Sequence, residues 1–256
     1  MANQETRMLN YWRKKYLLQV LTVFLLAFFV VWTALLYFDF AGFKLLTLVL
    51  AVIVAYLMFK AIKEDLQVRG EGIILAHADT LFNGVKFDFG RGISEKEFDE
   101  QDVITNYKCR ECHNVMKGND FILEEDWLYT LISAKFFSFS HTAFQGVVLA
   151  LDIPDAPEGL KGMIEILKNK TIISGELNNF LKTRNAQQHA AAFLKLFKAR
   201  SAEVSCNNGR LYFWINSETR IFYQFKLFST NTVHAFVRRV NDVQTAVSNL
   251  LGALKI

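Results

Sequence analysis

The N-terminal quarter of the chain contains two apolar runs that carry almost no charge. The first, residues 16–38 (YLLQVLTVFLLAFFVVWTALLYF), has 23 residues and no Asp, Glu, Lys or Arg. At about 1.5 Å per residue, a helix of this length spans the roughly 30 Å hydrocarbon core of a bilayer. Trp12 and Tyr16 at one end, and Trp32 and Tyr37 near the other, suit the aromatic belts of membrane interfaces. This run predicts a transmembrane helix.

The second run, residues 45–59, is shorter and needs help to cross a bilayer. Its 15 residues would extend only about 22 Å as a helix. Lys44 and Lys60 flank the run and can extend their ammonium groups towards the interface, and a few preceding residues can lengthen the helix. We expect a hairpin with transmembrane helices near 16–38 and 43–61. The alternative is a helical hairpin buried in the core of a soluble protein.

Basic residues indicate how this hairpin is oriented. They cluster before the first run and after the second, and only Lys44 lies between the runs. By the positive-inside rule, both ends are therefore cytoplasmic. We expect a multi-pass membrane protein, with a membrane anchor in residues 1–64 and a cytoplasmic domain in residues 65–256. The two basic clusters are Arg7, Arg13, Lys14 and Lys15, and Lys60, Lys63 and Arg69.

Stretches rich in aromatic and β-branched residues predict strands in the second part of the chain. Asn208 and Gly209 suit a two-residue hairpin turn, because both residue types accept positive φ. An apolar stretch at 163–173 follows a segment broken by prolines. The predicted strands are 121–123, 127–140, 144–153, 201–206, 210–216 and 221–228, with a short strand at 180–183.

Capping residues and helical spacing predict the helices. Ser94 begins a capping box with Glu97, so a short helix should extend to about Val103. Apolar residues recur at three- and four-residue steps over 233–254, behind the cap candidates Ser229 and Thr230. Further helices are expected at 65–81 and 186–200. The whole pattern predicts an α+β fold, in which a transmembrane hairpin precedes a mainly antiparallel soluble domain.

Composition and charge narrow the possible functions. The chain is 52% hydrophobic, and its formal net charge is +4. Residues 1–64 carry all of this excess, whereas residues 65–256 balance at 22 basic and 22 acidic side chains. A nucleic-acid-binding domain would normally hold its basic excess on the folded part, so we expect no nucleic-acid partner. Residues 65–158 are acidic and residues 159–256 are basic, so the two halves should attract each other or face different partners.

The layout and several short segments resemble a known family. The segments are Gly118-Asn119-Asp120-Phe121, leading into a strand that ends at 138–141, then 144–148, then Phe180 before the helix-forming stretch 187–196. They are similar to segments of the bacterial membrane proteins grouped as the domain of unknown function DUF3137. The resemblance covers about two thirds of the chain. It implies a two-helix membrane hairpin followed by a cytoplasmic α+β domain, and it implies no particular activity.

Cysteine usage favours a reducing compartment. The chain has three cysteines, Cys109, Cys112 and Cys206, and an odd number cannot all pair within one chain. The first apolar run is longer than the apolar region of a signal peptide and has no small-residue cleavage site, so no secretion signal is expected. A disulfide framework is therefore not expected. Reduced thiols in a cytoplasmic domain fit better.

Cys109, Cys112 and His113 form the only chemical motif that stands out, CxxCH. This spacing attaches haem in some proteins, but that reaction occurs outside the cytoplasm. Zinc could bind the three side chains if His77, His141 or Cys206 supplied a fourth ligand through the fold. A thioredoxin-type role needs a helix N-terminus that the pattern lacks. The remaining interpretation is a pair of ordinary reduced cysteines in a loop, and we expect no cofactor.

Two charged clusters have alternative interpretations. The acidic run 124–126 could bind a divalent cation, but three consecutive carboxylates are more typical of a solvated hairpin turn. Lys195, Lys198 and Arg200 are the core of a basic set that could contact anionic lipid or an acidic partner. The alternative is that these basic residues pair with the acidic half of the domain.

The sequence thus favours a membrane-anchored binding or scaffolding protein over an enzyme. No P-loop, nucleophile elbow or zinc-protease helix is present in the sequence, and we identify no catalytic residue. The expected partners are the lipid bilayer and another protein, or a second copy of the chain. The competing hypothesis is a membrane-tethered enzyme or redox or metal protein that uses Cys109, Cys112 and His113.

Overall fold

The computed structural model divides the chain into two compact units. The first unit contains the two long N-terminal helices, and the second contains the β-sheet. The structure describes residues 2–37, 41–82, 84–90, 92–101, 103–104, 107–134, 137–168, 170–217 and 233–255.

The first unit is a pair of antiparallel helices. Helix α1 comprises Ala2–Tyr37 and helix α2 comprises Ala41–Leu75. Both helices are longer than the apolar runs that predicted them. Helix α1 begins well before the first run, and α2 continues through the charged residues that follow the second run. The second run therefore belongs to a helix of 35 residues.

Large apolar side chains on both helices are exposed. Phe29 on α1 is 67% exposed and Tyr56 on α2 is 64% exposed. Only 11% of the most apolar segment of α1 and 6% of that of α2 is buried, whereas a core helix of a soluble protein is mostly buried. Both helices are long and apolar enough to cross a membrane. Their exposure argues against a hairpin buried in a soluble core.

Polar side chains join the two helices where the first apolar run begins and the second has ended. The Tyr16 hydroxyl donates a hydrogen bond to Asp65, and Nε of Arg69 donates to the Tyr16 hydroxyl at 2.5 Å. Arg69 also pairs with Asp65 at 3.1 Å, and its guanidinium lies 4.4 Å from the ring centre of Trp12. We call these four residues the Tyr16 cluster. The cluster places the charged ends of both helices on the same side of the hairpin.

The second unit consists of short helices and longer strands. In the described residues its strands are β1 (Lys86–Asp88), β2 (Cys109–Lys117), β3 (Phe121–Ala134), β4 (Phe137–Asp152), β5 (Lys161–Leu167), β6 (Lys170–Ile173), β7 (Ser201–Asn207) and β8 (Arg210–Asn216). Its helices are α3 (Ala78–Leu81), α4 (Glu95–Asp99), α5 (Glu176–Thr183), α6 (Gln187–Leu196) and α7 (Val233–Leu254), which begins in the first unit.

One antiparallel sheet organises this unit. The strand order is β1-β2-β3-β4-β8-β7-β5-β6, and every neighbouring pair is antiparallel. The longest pairing joins β3 and β4, from Phe121 opposite Leu151 to Ala134 opposite Phe137. These features confirm the predicted α+β fold with mainly antiparallel strands after an apolar helical hairpin.

Helix α4 and its flanking residues cover one face of the sheet. Because side chains alternate along a strand, Phe144 and Val148 of β4 point to the same face as Tyr212 and Trp214 of β8. These residues form one buried cluster with Phe98 of α4. We call this side of the sheet the α4 face. Ile93, Leu128 and Ala150 complete the cluster.

The opposite face is buried as well. Phe213 of β8, which points away from α4, is fully buried. Helix α5 approaches β5 so closely that a Cβ added to Gly162 would lie 2.5 Å from Cβ of Leu177. Phe236 of α7 contacts Phe87 of β1 edge-on at 5.2 Å between ring centres. The central strands are therefore covered on both sides.

Several predicted elements are confirmed. Asn208 and Gly209 form the turn between β7 and β8, with φ values of 52° and 69°. Ser94 caps α4, because its hydroxyl accepts a hydrogen bond from the N–H of Glu97 at 3.2 Å. Helix α6 lies within the predicted 186–200 segment, and α7 matches the predicted terminal helix.

Other element predictions are wrong. Residues 180–183, predicted as a short strand, are the end of α5, whose buried stripe includes Leu177 and Leu181. The predicted strand 127–140 is two strands, because β3 ends at Ala134 and β4 begins at Phe137. Strands β1 and β2 were not predicted, since β1 is very short and β2 is rich in polar residues.

Two element predictions lie outside the described residues. These are the strand at 221–228 and the cap candidates Ser229 and Thr230. The apolar stretch at 163–173, for which no element was specified, is the hairpin of β5 and β6.

Glu97 fastens α4 to the sheet. Its carboxylate accepts hydrogen bonds from Arg210 at 2.6 Å and from the Tyr212 hydroxyl at 2.7 Å. Arg210 also pairs with Asp152 at 2.6 Å. Burial would raise the pKa of Glu97, but the hydrogen bonds from Tyr212 and Arg210 outweigh it and hold the pKa below its usual range. The ionised carboxylate therefore stabilises the contact between α4 and β8.

We expect Glu97→Gln to lower the free energy of unfolding by about 1–2 kcal/mol at neutral pH, because it weakens two charge-assisted hydrogen bonds. The folded pKa lies below the unfolded value of about 4.3, so this stability is complete above that value and is lost as the pH falls through the folded pKa. Thermal unfolding of the full chain in a nonionic detergent, at neutral and at acidic pH, measures the effect. Glu95→Gln, at an exposed position of the same helix, is the control. A wild-type advantage that persists unchanged in acid would contradict the prediction.

Candidate functional site

The CxxCH motif lies in a strand and not in the loop that we predicted. Cys109 and Cys112 belong to β2, opposite Tyr129 and Asp126 of β3. Because they are three residues apart on a strand, their side chains point to opposite faces of the sheet. Cys109 is exposed and Cys112 is half-buried. The two thiols therefore do not converge on one point.

His113 lies at an irregularity in β2 and is directed to a different neighbour. The pairing register shifts between Cys112 and Val115. The His113 ring packs edge-on against Trp127 at 4.9 Å between ring centres. In the described part of the chain, no group of three or more His, Cys, Asp or Glu side chains is placed to hold a metal ion. The zinc site of Cys109, Cys112 and His113 stays a prediction from the sequence.

The acidic run 124–126 is buried, contrary to our expectation of a solvated turn. Glu124, Glu125 and Asp126 lie in the middle of β3 and are at most 1% exposed. Strand alternation places Glu124 and Asp126 on the α4 face and Glu125 on the opposite face. On that opposite face, the Glu125 carboxylate accepts a hydrogen bond from the Asn114 amide at 2.7 Å.

Arg110 bridges the two carboxyl groups on the α4 face, although its single positive charge offsets only one negative charge. Burial and the neighbouring Asp126 raise the pKa of Glu124 to about 8, which favours its neutral form at neutral pH. Its Nε donates to Asp126 at 2.8 Å and its Nη2 donates to Glu124. Its Nη1 donates to the backbone oxygen of Ile93 at 3.2 Å, and the guanidinium lies 3.7 Å from the ring centre of Phe98. The Arg110 side chain is only 1% exposed. We call Arg110, Glu124 and Asp126 the Arg110 network.

The loop before α4 is attached to the same network through its backbone. The Glu124 carboxylate accepts hydrogen bonds from the N–H groups of Gly92 and Ile93, each at 2.9 Å. A Cβ on Gly92 would lie 2.7 Å from side-chain atoms of Ile122 and Val115, so only glycine permits this approach. The Arg110 network therefore joins β2, β3 and the loop that leads into α4.

Cys112 is held in this environment as a neutral thiol. Its Sγ lies 3.2 Å from the backbone oxygen of Gly90 and 3.7 Å from Glu124. Burial raises the pKa of the Cys112 thiol, and the negative charges of Glu124 and Asp126 raise it further. The thiolate is the form that attacks disulfides and binds metals. The surroundings of Cys112 therefore oppose the redox and metal chemistry suggested by the motif.

Sequence reasoning missed the Arg110 network. Its signal was the uninterrupted stretch from Phe121 to Gln145, which contains no glycine or proline around the acidic run. A turn at 124–126 would normally need such residues. Reading the stretch as strand would have placed Glu124 and Asp126 on one face.

Ion pairs connect the acidic and basic halves of this domain, as the charge pattern suggested. In addition to the pairs of Arg210 with Glu97 and Asp152, Arg184 pairs with Asp155 at 2.6 Å. Lys255 pairs with Asp120 at 2.9 Å. Each of these pairs joins a base from 159–256 to an acid from 65–158. In the described residues, the two halves are therefore joined by specific ion pairs of Arg184, Arg210 and Lys255.

Lys195, Lys198 and Arg200 have no part in these pairs. They follow one another from the end of α6 to the start of β7, and all three are exposed. Lys198 has a positive φ of 53°, which turns the chain after the helix. Within the described ranges, none of the three forms an ion pair. They form an exposed cationic surface, which we call the basic surface.

Comparisons with known proteins identify no relative. No protein-family model matches the sequence, and no curated protein and no solved structure matches it significantly.

We expect Arg110→Met to lower the free energy of unfolding by about 3–5 kcal/mol, because it leaves the buried Asp126 without a counter-charge and removes the hydrogen bonds of the guanidinium to Glu124 and Asp126. Denaturant unfolding of the full chain in a nonionic detergent measures the loss. Lys108→Met, an exposed position two residues away, should change stability little. Adding Glu124→Gln and Asp126→Asn to the Arg110→Met variant should recover part of the loss. A small effect of Arg110→Met alone would show that the carboxylates are neutralised in another way.

Proposed function

We propose that this chain is an integral protein of the bacterial inner membrane and that its sheet-containing unit is a cytoplasmic binding or scaffolding module. The observation that carries the proposal is the exposed apolar surface of α1 and α2, which are long enough to cross a bilayer. Water would solvate such a surface poorly, and lipid chains would cover it. The hairpin then crosses the bilayer twice. The resemblance to the DUF3137 family fits this layout and is part of the proposal.

The orientation follows from the charged ends of the hairpin. The Tyr16 cluster brings together the beginning of the first apolar run and the end of the second. The basic residues that precede the first run and follow the second then lie on one side of the membrane. Positive residues favour the cytoplasmic side, so both ends of the hairpin are cytoplasmic and the connector at 38–40 is outside.

The basic surface supplies the binding activity in this proposal. Lys195, Lys198 and Arg200 are exposed and keep their charge available, whereas Arg184, Arg210 and Lys255 are engaged with acids of the same domain. Near an anionic membrane, each free basic residue contributes about 1 kcal/mol of attraction. Anionic lipid, an acidic protein partner or an acidic region of a second copy would all meet this requirement.

A redox or metal protein is the competing function, and the surroundings of Cys112 weigh against it. The raised pKa of the Cys112 thiol keeps it protonated at neutral pH. Cys109 points to the other face of the sheet. Neither feature supports a pair of cysteines that act together.

We expect a membrane-impermeant maleimide to leave Cys109 unmodified in intact bacterial cells and to modify it after the membrane is permeabilised. Cys109 is the suitable reporter because it is the exposed cysteine of the three. Cys109→Ser should remove the signal. Adding Asp39→Cys to this variant should restore labelling in intact cells, since the connector faces outwards. Labelling of Cys109 in intact cells would place the domain on the opposite side.

Charge reversal of the basic surface tests the binding role. We expect Lys195→Glu, Lys198→Glu and Arg200→Glu together to reduce the capture of phosphatidylglycerol vesicles by the full chain held in phosphatidylcholine nanodiscs. The reduction should be about tenfold or more, and capture by the wild type should weaken with salt, because exposed charges are screened. Vesicle fluorescence retained on immobilised nanodiscs is the measurement.

The matched control reverses three exposed lysines elsewhere, Lys108, Lys161 and Lys170, with the same change in net charge. It should retain most of the binding, and both triple variants should keep the wild-type melting temperature. If both variants lose binding equally, net charge and not the basic surface attracts the vesicles. If the first variant unfolds, its charges are internal partners of the acidic half.

A further inference from the structure

Two lysines face each other at the edge of the sheet. Lys86 of β1 lies directly opposite Lys117 of β2 in the pairing register. Directly opposed residues of an antiparallel pair point to the same face, with Cβ atoms about 4.5–5.5 Å apart. Two like charges in this position repel each other and destabilise the pairing. An anion bound between the two ammonium groups would remove this repulsion.

Neither lysine is neutralised by its neighbours in the described part of the chain. Neither of the two closest acids in sequence, Asp88 and Asp120, pairs with these lysines in the described residues. Asp88 accepts hydrogen bonds from the N–H groups of its own turn, at 2.6 Å and 3.2 Å. Asp120 pairs with Lys255 at 2.9 Å. Lys86 and Lys117 form no ion pair within the described ranges, so their positive charges remain uncompensated.

The two lysines line a cavity. Its volume is about 500 Å³, which is within the range of small-molecule sites. Phe82 and Val85 are buried and give the cavity apolar walls, and the exposed Asn119 contributes a side-chain amide. Gly84, with a positive φ of 72°, and Gly118 complete the lining. The cavity thus combines two cations and an amide donor with an apolar wall.

We propose that this cavity binds a phosphate group. A phosphate group is negatively charged and has several acceptor oxygens. It can therefore bind both ammonium groups at once and remove their mutual repulsion. The ligand is a free phosphorylated compound or the headgroup of an anionic lipid. The site is separate in sequence from the basic surface and is tested with its own variants, so the two can fail independently.

The test uses the full chain purified in dodecyl maltoside, which contains no phosphate. Isothermal titration calorimetry with inorganic phosphate is the first arm, and titration with short-chain phosphatidylglycerol in mixed micelles is the second. The variant is Lys86→Gln with Lys117→Gln. Lys108→Gln with Lys161→Gln removes the same charge from exposed positions that do not oppose each other. Lys86→Arg with Lys117→Arg retains the charges.

We expect saturable, salt-sensitive binding of at least one probe to the wild-type chain. The glutamine variant should bind at least about tenfold more weakly, because each charge-assisted contact contributes about that factor. The control should bind like the wild type, and the arginine variant should retain binding. The glutamine variant should melt at the same or a higher temperature, because the repulsion between the two lysines is gone.

Binding of inorganic phosphate would identify a free phosphorylated ligand, and binding of the lipid alone would identify a headgroup. Equal binding by the wild type and the glutamine variant would overturn the proposal. Equal loss in the control would overturn it too, since the attraction would then be general. If the glutamine variant did not fold, the titrations of the wild-type chain would still test the proposal. An absence of saturable binding of both probes to the wild type would reject the site.

Discussion

Two carboxyl groups lie in the middle of a buried strand, and the sheet depends on the one guanidinium that bridges them. Arg110 bridges Glu124 and Asp126, while Glu124 also accepts hydrogen bonds from the backbone of the loop before α4. Burying a charge without a partner costs far more free energy than replacing the whole ion pair with apolar side chains. Arg110 therefore couples the pairing of β2 with β3 to the packing of α4 on the sheet.

The two units place their apolar side chains in opposite positions: buried in one unit and exposed in the other. In the sheet-containing unit, aromatic and aliphatic side chains are buried on both faces, and Glu97 and Arg210 hold α4 over one of them. In the helical unit, the apolar side chains point outwards, and the half-exposed Tyr16 cluster joins the two helices. The hydrophobic effect drives the first arrangement in water, whereas the second needs an apolar surrounding phase. A single chain that contains both is suited to a boundary between water and lipid.

The sequence pattern predicted the parts of the fold that depend on local signals. The apolar run at 16–38, the turn at Asn208 and Gly209 and the spacing over 233–254 each carry their own information. The Arg110 network could not be found in this way, because Arg110 comes close to Glu124 and Asp126 only when β2 pairs with β3. The same reason hid the opposition of Lys86 and Lys117, which are 31 positions apart in sequence and adjacent only in the register. The exposure of the basic surface likewise depends on which bases pair with acids in the folded domain.

In the proposed membrane orientation, the Tyr16 cluster determines the depth at which the hairpin sits. Its carboxylate, guanidinium and hydroxyl groups all need water or lipid headgroups nearby, so they resist displacement into the hydrocarbon region. Trp12, stacked against Tyr16, prefers the same narrow zone. Because the cluster bonds α1 to α2, neither helix can slide along the membrane normal without the other. Changes in bilayer thickness would then be accommodated at the far end of the hairpin, by tilting or by local deformation of the lipid.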